Sequence, residues 1–261
     1  MINKNLEVQS LMRALDILEV VGSSTKAVTL KAITEKVGLP KSTVYRLLSN
    51  LESREYVRCN IDGTYQLGLK LLTISLQVEQ NFELKQAARP YLVALNKETQ
   101  ETVHLAILQG GRVLYIDTIE SPQPIRLVAR IGACNPVHCT ALGKALLFSH
   151  SDEEIARLLR IYGMEKRTEF TLRSIEEFQA DVHECRLRGY AFDEKESSLD
   201  ARCVSAPIYG PRVGVTAAIS VSGPAVRYSQ EMCADVGQQL MKAAKEIGDV
   251  LKLKHDARNA G

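Results

Sequence analysis

Residues 37–53 read VGLPKSTVYRLLSNLES, and the Gly38-Leu39-Pro40 step inside them restricts the fold more than any other stretch. Glycine ends a helix readily in a left-handed conformation, and proline starts one where its missing N–H costs nothing. One helix must therefore stop and another begin within three residues. Before the bend, Thr29 stands at an N-cap position, and Leu30, Ile33 and Val37 make a one-sided stripe. After it, Val44, Leu47, Leu48 and Leu51 fall at i, i+3, i+4 and i+7. Upstream, Leu11, Leu15, Leu18 and Val21 predict a first helix with those four residues on its apolar face and Gly22 as its stop. Downstream, EYVRCNIDGTYQLG alternates on either side of Asp62-Gly63, which predicts a β-hairpin. Three helices and a hairpin of this size share one small core, the layout of a winged helix-turn-helix.

The polar half of the third helix then needs a reason. With the four apolar residues turned inward, Lys41, Ser42, Thr43, Tyr45, Arg46, Ser49 and Asn50 point outward. A DNA major groove admits one helix, and these side chains are of the kind that contact phosphates and base edges. Lys41, Ser42 and Thr43 open the helix, where free backbone amides also favour phosphate. Arg46 lies one turn further on and can reach guanine bidentately, and Arg58 lies near the wing. A merely solvated face is the alternative, and the wing argues against it. Charge agrees with the DNA reading: residues 1–70 carry a balance of +3 within a chain of net charge +2. The partner expected for this face is double-stranded DNA.

The next segment, LGLKLLTISLQVEQNFEL, has two apolar stripes, Leu69/Leu72/Leu76 and Leu71/Ile74/Val78. A helix apolar on two sides must be covered on two sides. The second cover is either a second copy of the chain or the rest of its own domain. Beyond Glu83 the pattern mixes strands and helices. Strands are expected at TVHLAIL, RVLYIDTI, PIRLVARIG, YAFDEK, CVSAPIY and VGVTAAISVSG. Helices are expected at TALGKALLFS, SDEEIARLLRIY, SIEEFQADVHECRLRG and from Ser229 onward. Strands outnumber βαβ units, so the expected class is α+β, with a mainly antiparallel sheet flanked by helices. The domains are set at 1–67 (winged helix-turn-helix), 68–82 (linker helix) and 83–261.

Several function classes are excluded or disfavoured. No apolar run approaches the ~18 residues of a membrane helix, and charge comes too early for a secretory signal, so the expected compartment is the cytoplasm with no membrane partner. Six cysteines lack any C-x-x-C pair and are expected to be reduced. Cys134, His138 and Cys139 lie close in sequence but fit no zinc spacing, so no metal site is assigned. G-x-S-x-G, P-loop, H-E-x-x-H and dinucleotide motifs are all missing, so neither catalytic residues nor a cofactor are assigned.

A pocket has better support. Ala218, Ser220 and Ser222 alternate and so share one face of a strand, which Cys203 can join from the strand before. Thr140 stands at an N-cap, leaving the amides of Ala141, Leu142 and Gly143 as a ready anion site. Short donors around a helix end suit a small carboxylate or polyol. The competing reading bonds both serines to nearby backbone.

The motifs GLPKSTVYRLLSNL, YQLGLKLL, ETVHLAIL, HCTALGKALL, RGYAFDEKES, ARCVSAPIY and AAISVSGP run in one order along the chain. In them the sequence resembles the isocitrate-lyase-regulator (IclR) family of bacterial transcription factors over almost its whole length. The resemblance implies a C-terminal effector-binding domain similar to GAF and PAS folds. It also implies dimers that often pair into tetramers on operator DNA, and control of a neighbouring catabolic operon. Carried over residue by residue, it places the effector against the backbone of Ala141 and Leu142, with Asp193, Cys203, Ser220 and Ser222. Asp200 stands where the family usually has glycine, and Ala201 where a larger apolar residue is common, so Ala201 enters the effector set as a change in pocket size. The expected function is repression of a metabolic operon, relieved or imposed by a small organic-acid-like effector. An activator of the same build is the alternative, with a GAF-like cysteine enzyme further off.

Overall fold

The computed structural model describes residues 8–80, 83–211 and 213–259, and the chain divides into two compact units at Phe82/Glu83. In the first unit α1 (Gln9–Gly22), β1 (Val28–Thr29), α2 (Leu30–Val37) and α3 (Lys41–Ser53) precede the strands β2 (Val57–Cys59) and β3 (Thr64–Leu67). The bend behaves as its residues require. Gly38 takes φ 64° and its amide closes on Thr34 O, while Pro40 caps α3. Thr29 caps α2, its hydroxyl accepting from the Ala32 amide at 3.2 Å. Asp62 stabilises the hairpin turn by accepting from both the amide and the hydroxyl of Thr64.

The core of this unit gathers Ile17, Val21, Val28, Ile33, Val44, Leu48, Val57 and Tyr65. Two expectations change here. The wing has three strands, because β1 adds to β3 in the order β1-β3-β2. And α1 buries Ile17 and Val21, leaving Leu11 and Leu15 exposed at 57% and 44%. The stripe through Leu11 and Leu15 is thus an outer face, with Val8 and Met12 beside it.

Helix α4 (Leu69–Gln80) follows. Leu69, Leu72, Ile74 and Leu76 are all exposed, and no residue from 69 to 77 is buried, so its own unit does not cover it. The side chain of Val78 and residues Asn81 and Phe82 lie outside the described residues.

The second unit opens with α5 (Glu83–Thr99), which carries Pro90 inside it. Six strands follow: β4 (Thr102–Gln109), β5 (Arg112–Ile119), β6 (Cys134–Pro136), β7 (Ala191–Glu194), β8 (Ala201–Ile208) and β9 (Ala217–Pro224). They form one antiparallel sheet in the order β6-β5-β4-β9-β8-β7. Between β6 and β7 come α6 (Ala141–Leu146), α7 (Asp152–Tyr162) and α8 (Ile175–Arg188), and α9 (Gln230–Asn259) ends the chain. Helices α5 and α9 pack on each other and on β4, β8 and β9, whereas α6 packs on the sheet with α8 behind it. Leu142, Leu146, Ile155, Phe178 and Val182 meet Ala106, Tyr115, Ala191 and Ala218 from the sheet in one apolar core.

PIRLVARIG is not a strand. Residues 124–132 run irregularly across the sheet, and the carbonyls of Leu127 and Ala129 accept from the hydroxyls of Thr102 and Thr118. The strand that pairs with β5 lies just beyond, as β6. Helix α5, unannounced by its sequence, is held by Arg89 on the buried Asp117.

Candidate DNA-reading face and candidate effector site

On α3 the apolar side sinks Val44 and Leu48 completely and leaves Lys41, Ser42, Tyr45, Arg46, Ser49 and Asn50 exposed, with Thr43 half-buried. Ser49 and Asn50 donate back to the carbonyls of Tyr45 and Arg46, one turn earlier. That leaves the side-chain amide oxygen of the exposed Asn50 as an acceptor. Lys41, Arg46 and Arg58 form no ion pair among the described residues, so their charges are available. Arg58 sits on β2 opposite Gln66, and Ile61 stands fully exposed at the hairpin tip.

In the second unit, strand register assembles the other constellation. Asp193 pairs with Cys203, Cys203 with Ser222, and Ser222 with Thr102. The neighbouring row runs Ser205, Ser220, His104 and Thr118. Residues opposite each other across strands share a face, as do residues two apart along one. Both rows therefore lie on a single face with Ala191 and Ala218, the face that α6 covers. Asp193, Ser220 and Ser222 are buried, and Ala201 is buried at the start of β8.

Partners separate the two serines' neighbours. Ser205 donates to Ile219 O at 2.8 Å, so it is already satisfied. The Ser220 hydroxyl, 1% exposed, has no partner at all. Asp193 accepts from the Glu196 amide and the Ser197 hydroxyl, both at 2.8 Å. Burial still pushes its carboxyl up to about 6, because desolvation outweighs those two bonds. Burial also holds the Cys203 thiol well above its usual range.

At the head of α6 one expectation needs correcting. Thr140 does cap the helix, but its hydroxyl takes the Gly143 amide at 3.1 Å, so only Ala141 and Leu142 offer free amides among the described residues. The cap itself donates to Pro136 O.

Residues that sequence reasoning passed over complete the face. His104 stacks edge-on against Tyr115 at 5.1 Å and meets Thr118 through Nδ1. Burial lowers its pKa to about 4, so the ring is neutral at pH 7. Tyr115 reaches Asn135 through its hydroxyl. Tyr115 faces this way because β5 bulges at Ile116: Ala106 pairs with Tyr115 while Leu105 pairs with Asp117. Period-two counting from Thr118 would have chosen Ile116 instead. Thr102 and His104 did carry a signal, as polar residues alternating within the apolar run TVHLAIL.

Directly below the head of α6, Lys144 is fully buried. Its ammonium reaches Asp181 on α8 at 2.8 Å, Glu196 in the β7–β8 turn, and Phe192 O at 3.0 Å. Burial works against the charge, yet the two carboxylates outweigh it and hold Lys144 protonated. This cluster ties α6 to the turn that positions Asp193.

The cysteines and His138 divide differently from their sequence grouping. Cys134 is exposed, Cys139 is buried, and His138 Nε2 donates to Glu165 O at 2.9 Å. Among the described residues no helix is long and apolar enough to cross a membrane.

A winged helix-turn-helix with an unpaired cationic reading helix, joined to a sheet domain with a buried polar face, defines a transcriptional regulator that carries its own sensor. The comparisons are specific. Residues 10–60 match the IclR helix-turn-helix domain, and residues 76–249 match the bacterial transcriptional regulator IclR C-terminal domain. The chain belongs to the IclR family of DNA-binding transcriptional regulators. It is 34% identical over 244 residues to the acetate operon repressor of Salmonella typhimurium, covering 92% of this chain and 89% of that protein. It is equally similar, 34% over 244 residues with the same coverage, to the transcriptional repressor IclR of Escherichia coli. The crystal structure of Thermotoga maritima IclR superposes with a TM-score of 0.73 at 29% identity, covering 94% of this chain and all of that one.

Proposed function

We propose that this protein is a repressor of a metabolic operon, that its effector is a small hydroxylated carboxylate, and that it works as a homodimer able to pair into a tetramer. The observation that carries the effector reading is the Ser220 hydroxyl, buried without a partner in a polar row that already satisfies Ser205. A buried hydroxyl left unbonded costs stability, and a guest that meets it recovers that cost. In this reading the amides of Ala141 and Leu142, with Ser220 and Ser222, hold the carboxylate. Asp193 accepts from a hydroxyl at the other end, and Cys203 and Ala201 form the wall. An IclR homologue of Microbacterium hydrocarbonoxydans is crystallised with 4-hydroxybenzoate, a ligand with both groups. Names of the relatives, among them the acetate operon repressor, favour repression.

DNA recognition falls to Lys41, Ser42, Thr43, Tyr45, Arg46 and Arg58, with α4 joining two copies. The functional segments are 1–67, 68–82 and 83–261. The chain acts without catalysis, cofactor or metal. A nucleophilic cysteine needs a thiolate, and burial holds Cys203 in its thiol form. The test is a thermal-shift screen of small hydroxycarboxylates on the intact chain, followed by the same titration on Ser220→Ala/Ser222→Ala. A hit should raise Tm in the parent and bind at least about tenfold more weakly to the variant, since charge-assisted bonds are lost. Operator affinity without effector should not change. An unaltered response of the variant refutes the site.

A further inference from the structure

The cluster beneath α6 holds more negative than positive charge. Lys144 brings the one ammonium, 2.8 Å from Asp181 and also bonded to Glu196. Asp193, 0% exposed on β7, feels the same ammonium. Three carboxyl groups thus answer to one cation. Asp181 is a third exposed and meets water, whereas Asp193 and Glu196 are buried. These two are joined, because the Glu196 amide donates to Asp193 at 2.8 Å. Glu196 takes Lys144 on Oε1, and its Oε2 is buried with no partner among the described residues. A second full negative charge has nothing there to balance it.

The other titratable groups around the pair are locked near neutrality. Cys203 lies opposite Asp193 in the sheet, and burial holds its thiol well above the usual range. Burial also pushes Cys139, just ahead of α6, and Tyr115 on β5 up to about 12. His104 in the neighbouring row is neutral at pH 7, since burial lowers it to about 4. Arg167 acts on Cys139 from an exposed position, and Lys195 sits over the Phe170 ring at 5.8 Å. That leaves the two carboxyls to exchange a proton. Burial holds both above the ordinary carboxylate range, and the charge on Asp193 adds to the rise at Glu196. So coupled, they titrate as a pair.

An anionic guest sharpens the imbalance. The amides of Ala141 and Leu142 open the same short helix that carries Lys144, whose own amide donates to Thr140 O. A carboxylate held there brings a further negative charge to a buried site already short of cations. Like charges gathered in a low-dielectric site favour the state in which one is neutralised.

We infer, on the effector site proposed above, that binding of a carboxylate effector is coupled to uptake of a proton by the Asp193–Glu196 pair, so that the sensor responds to pH as well as to its metabolite. The proton comes from solvent, no bond of the effector changes, and the loaded site keeps the net charge of the empty one. A protonated Asp193 still offers one oxygen to the effector's hydroxyl. In acid the pair is already protonated and affinity is level. As pH rises through neutrality the empty pair loses its proton, and affinity falls by up to about tenfold per pH unit.

The experiment titrates the intact chain with glycolate, lactate and 4-hydroxybenzoate by calorimetry near pH 7.5, in phosphate and in Tris, whose ionisation enthalpies differ. The probes' carboxyls are ionised throughout, so any proton exchanged with buffer is exchanged by the protein. Uptake of about half to one proton per effector is expected, with a Kd that rises about tenfold between pH 6 and pH 8. Glu196→Gln, which lies outside the effector contacts, should keep binding and lose more than half of the uptake. Ser220→Ala/Ser222→Ala reports on the site itself. Binding that this serine variant weakens, with equal enthalpies in both buffers and a flat Kd in the parent, overturns the coupling and leaves the site standing. Undiminished uptake in a folded Glu196→Gln overturns the assignment to the pair. No binding by any of the three probes removes the site reading and the coupling with it.

Discussion

Replacing Lys144 by methionine removes the only cation inside the cluster beneath α6 while nearly filling its volume. The partners are unequal. Asp181 is about a third exposed (34% of its side chain) and can turn to water, whereas the Glu196 side chain is 8% exposed and cannot. Phe192 O also loses its donor. Breaking a buried pair by removing one member costs about 3–5 kcal/mol, because an uncompensated charge stays behind. For a domain of this size each kcal/mol moves Tm by about 2–4 °C, so a fall of roughly 6–20 °C is expected.

The deficit should depend on pH, with a sign fixed by Glu196. Burial pushes that carboxyl up to about 7 even beside Lys144, and without the cation it must rise further. A carboxyl raised on folding stabilises the native state below its unfolded value, near 4.5, and that stability is lost as pH climbs through the folded value. In the variant the loss continues to higher pH. The deficit should be smallest near pH 5 and grow through neutrality, by at most about 1.4 kcal/mol per pH unit. Urea unfolding followed by circular dichroism near pH 5 and near pH 8 measures it. A deficit independent of pH, or a Lys144→Met/Glu196→Met double variant no more stable than the single one, would refute the assignment.

Further outcomes follow from the two faces and the linker. Arg46→Ala should weaken specific operator binding by about 1–3 kcal/mol in gel shifts, whereas Lys41→Ala should weaken all duplexes alike and flatten the salt dependence. Leu72→Lys/Leu76→Lys should give monomers by light scattering with poor operator affinity, because both leucines are exposed on α4. Asp193→Asn should stabilise the effector-free protein at neutral pH. The folded carboxyl titrates near 6 against 3.8, so its stabilising contribution is lost as pH rises through that window, by up to about 3 kcal/mol. Thermal melts that show the same gain near pH 3 and pH 8 would contradict that account.

Legibility in the sequence followed how local each determinant was. The α2–α3 bend, the Thr29 and Thr140 caps and the Asp62-Gly63 hairpin were readable, because each is decided within a few residues. The face shared by Cys203, Ser220 and Ser222 was readable through strand alternation, whereas Asp193 came only through family resemblance. Other features depended on distant partners. Pro90 disguised α5, which is secured by Arg89 reaching Asp117 on β5. The two residues of β1 become a strand only by pairing with β3. PIRLVARIG alternates well enough for a strand but forms no strand ladder: the Leu127 and Ala129 carbonyls accept from threonine hydroxyls, and the Gly132 amide donates to Tyr115 O at its end. Leu11 and Leu15 have core spacing, yet Ile17 and Val21 occupy the core they would have shared. Tyr115 was hidden by one inserted residue.

That insertion bears on how the strand can change length. Ile116 is the surplus residue of the β4–β5 pairing, so the chain on either side of it keeps its own facing. Deleting Ile116 would make Tyr115 and Asp117 adjacent, and adjacent strand residues already point to opposite faces. The tyrosine would stay under α6 and the aspartate with Arg89. Losing Leu114 or Thr118 would instead turn Tyr115 or Asp117 to the other face, and losing either of those two would remove the side chain itself. Position 116 is the place where this sheet can shed a residue without turning its polar face away from α6.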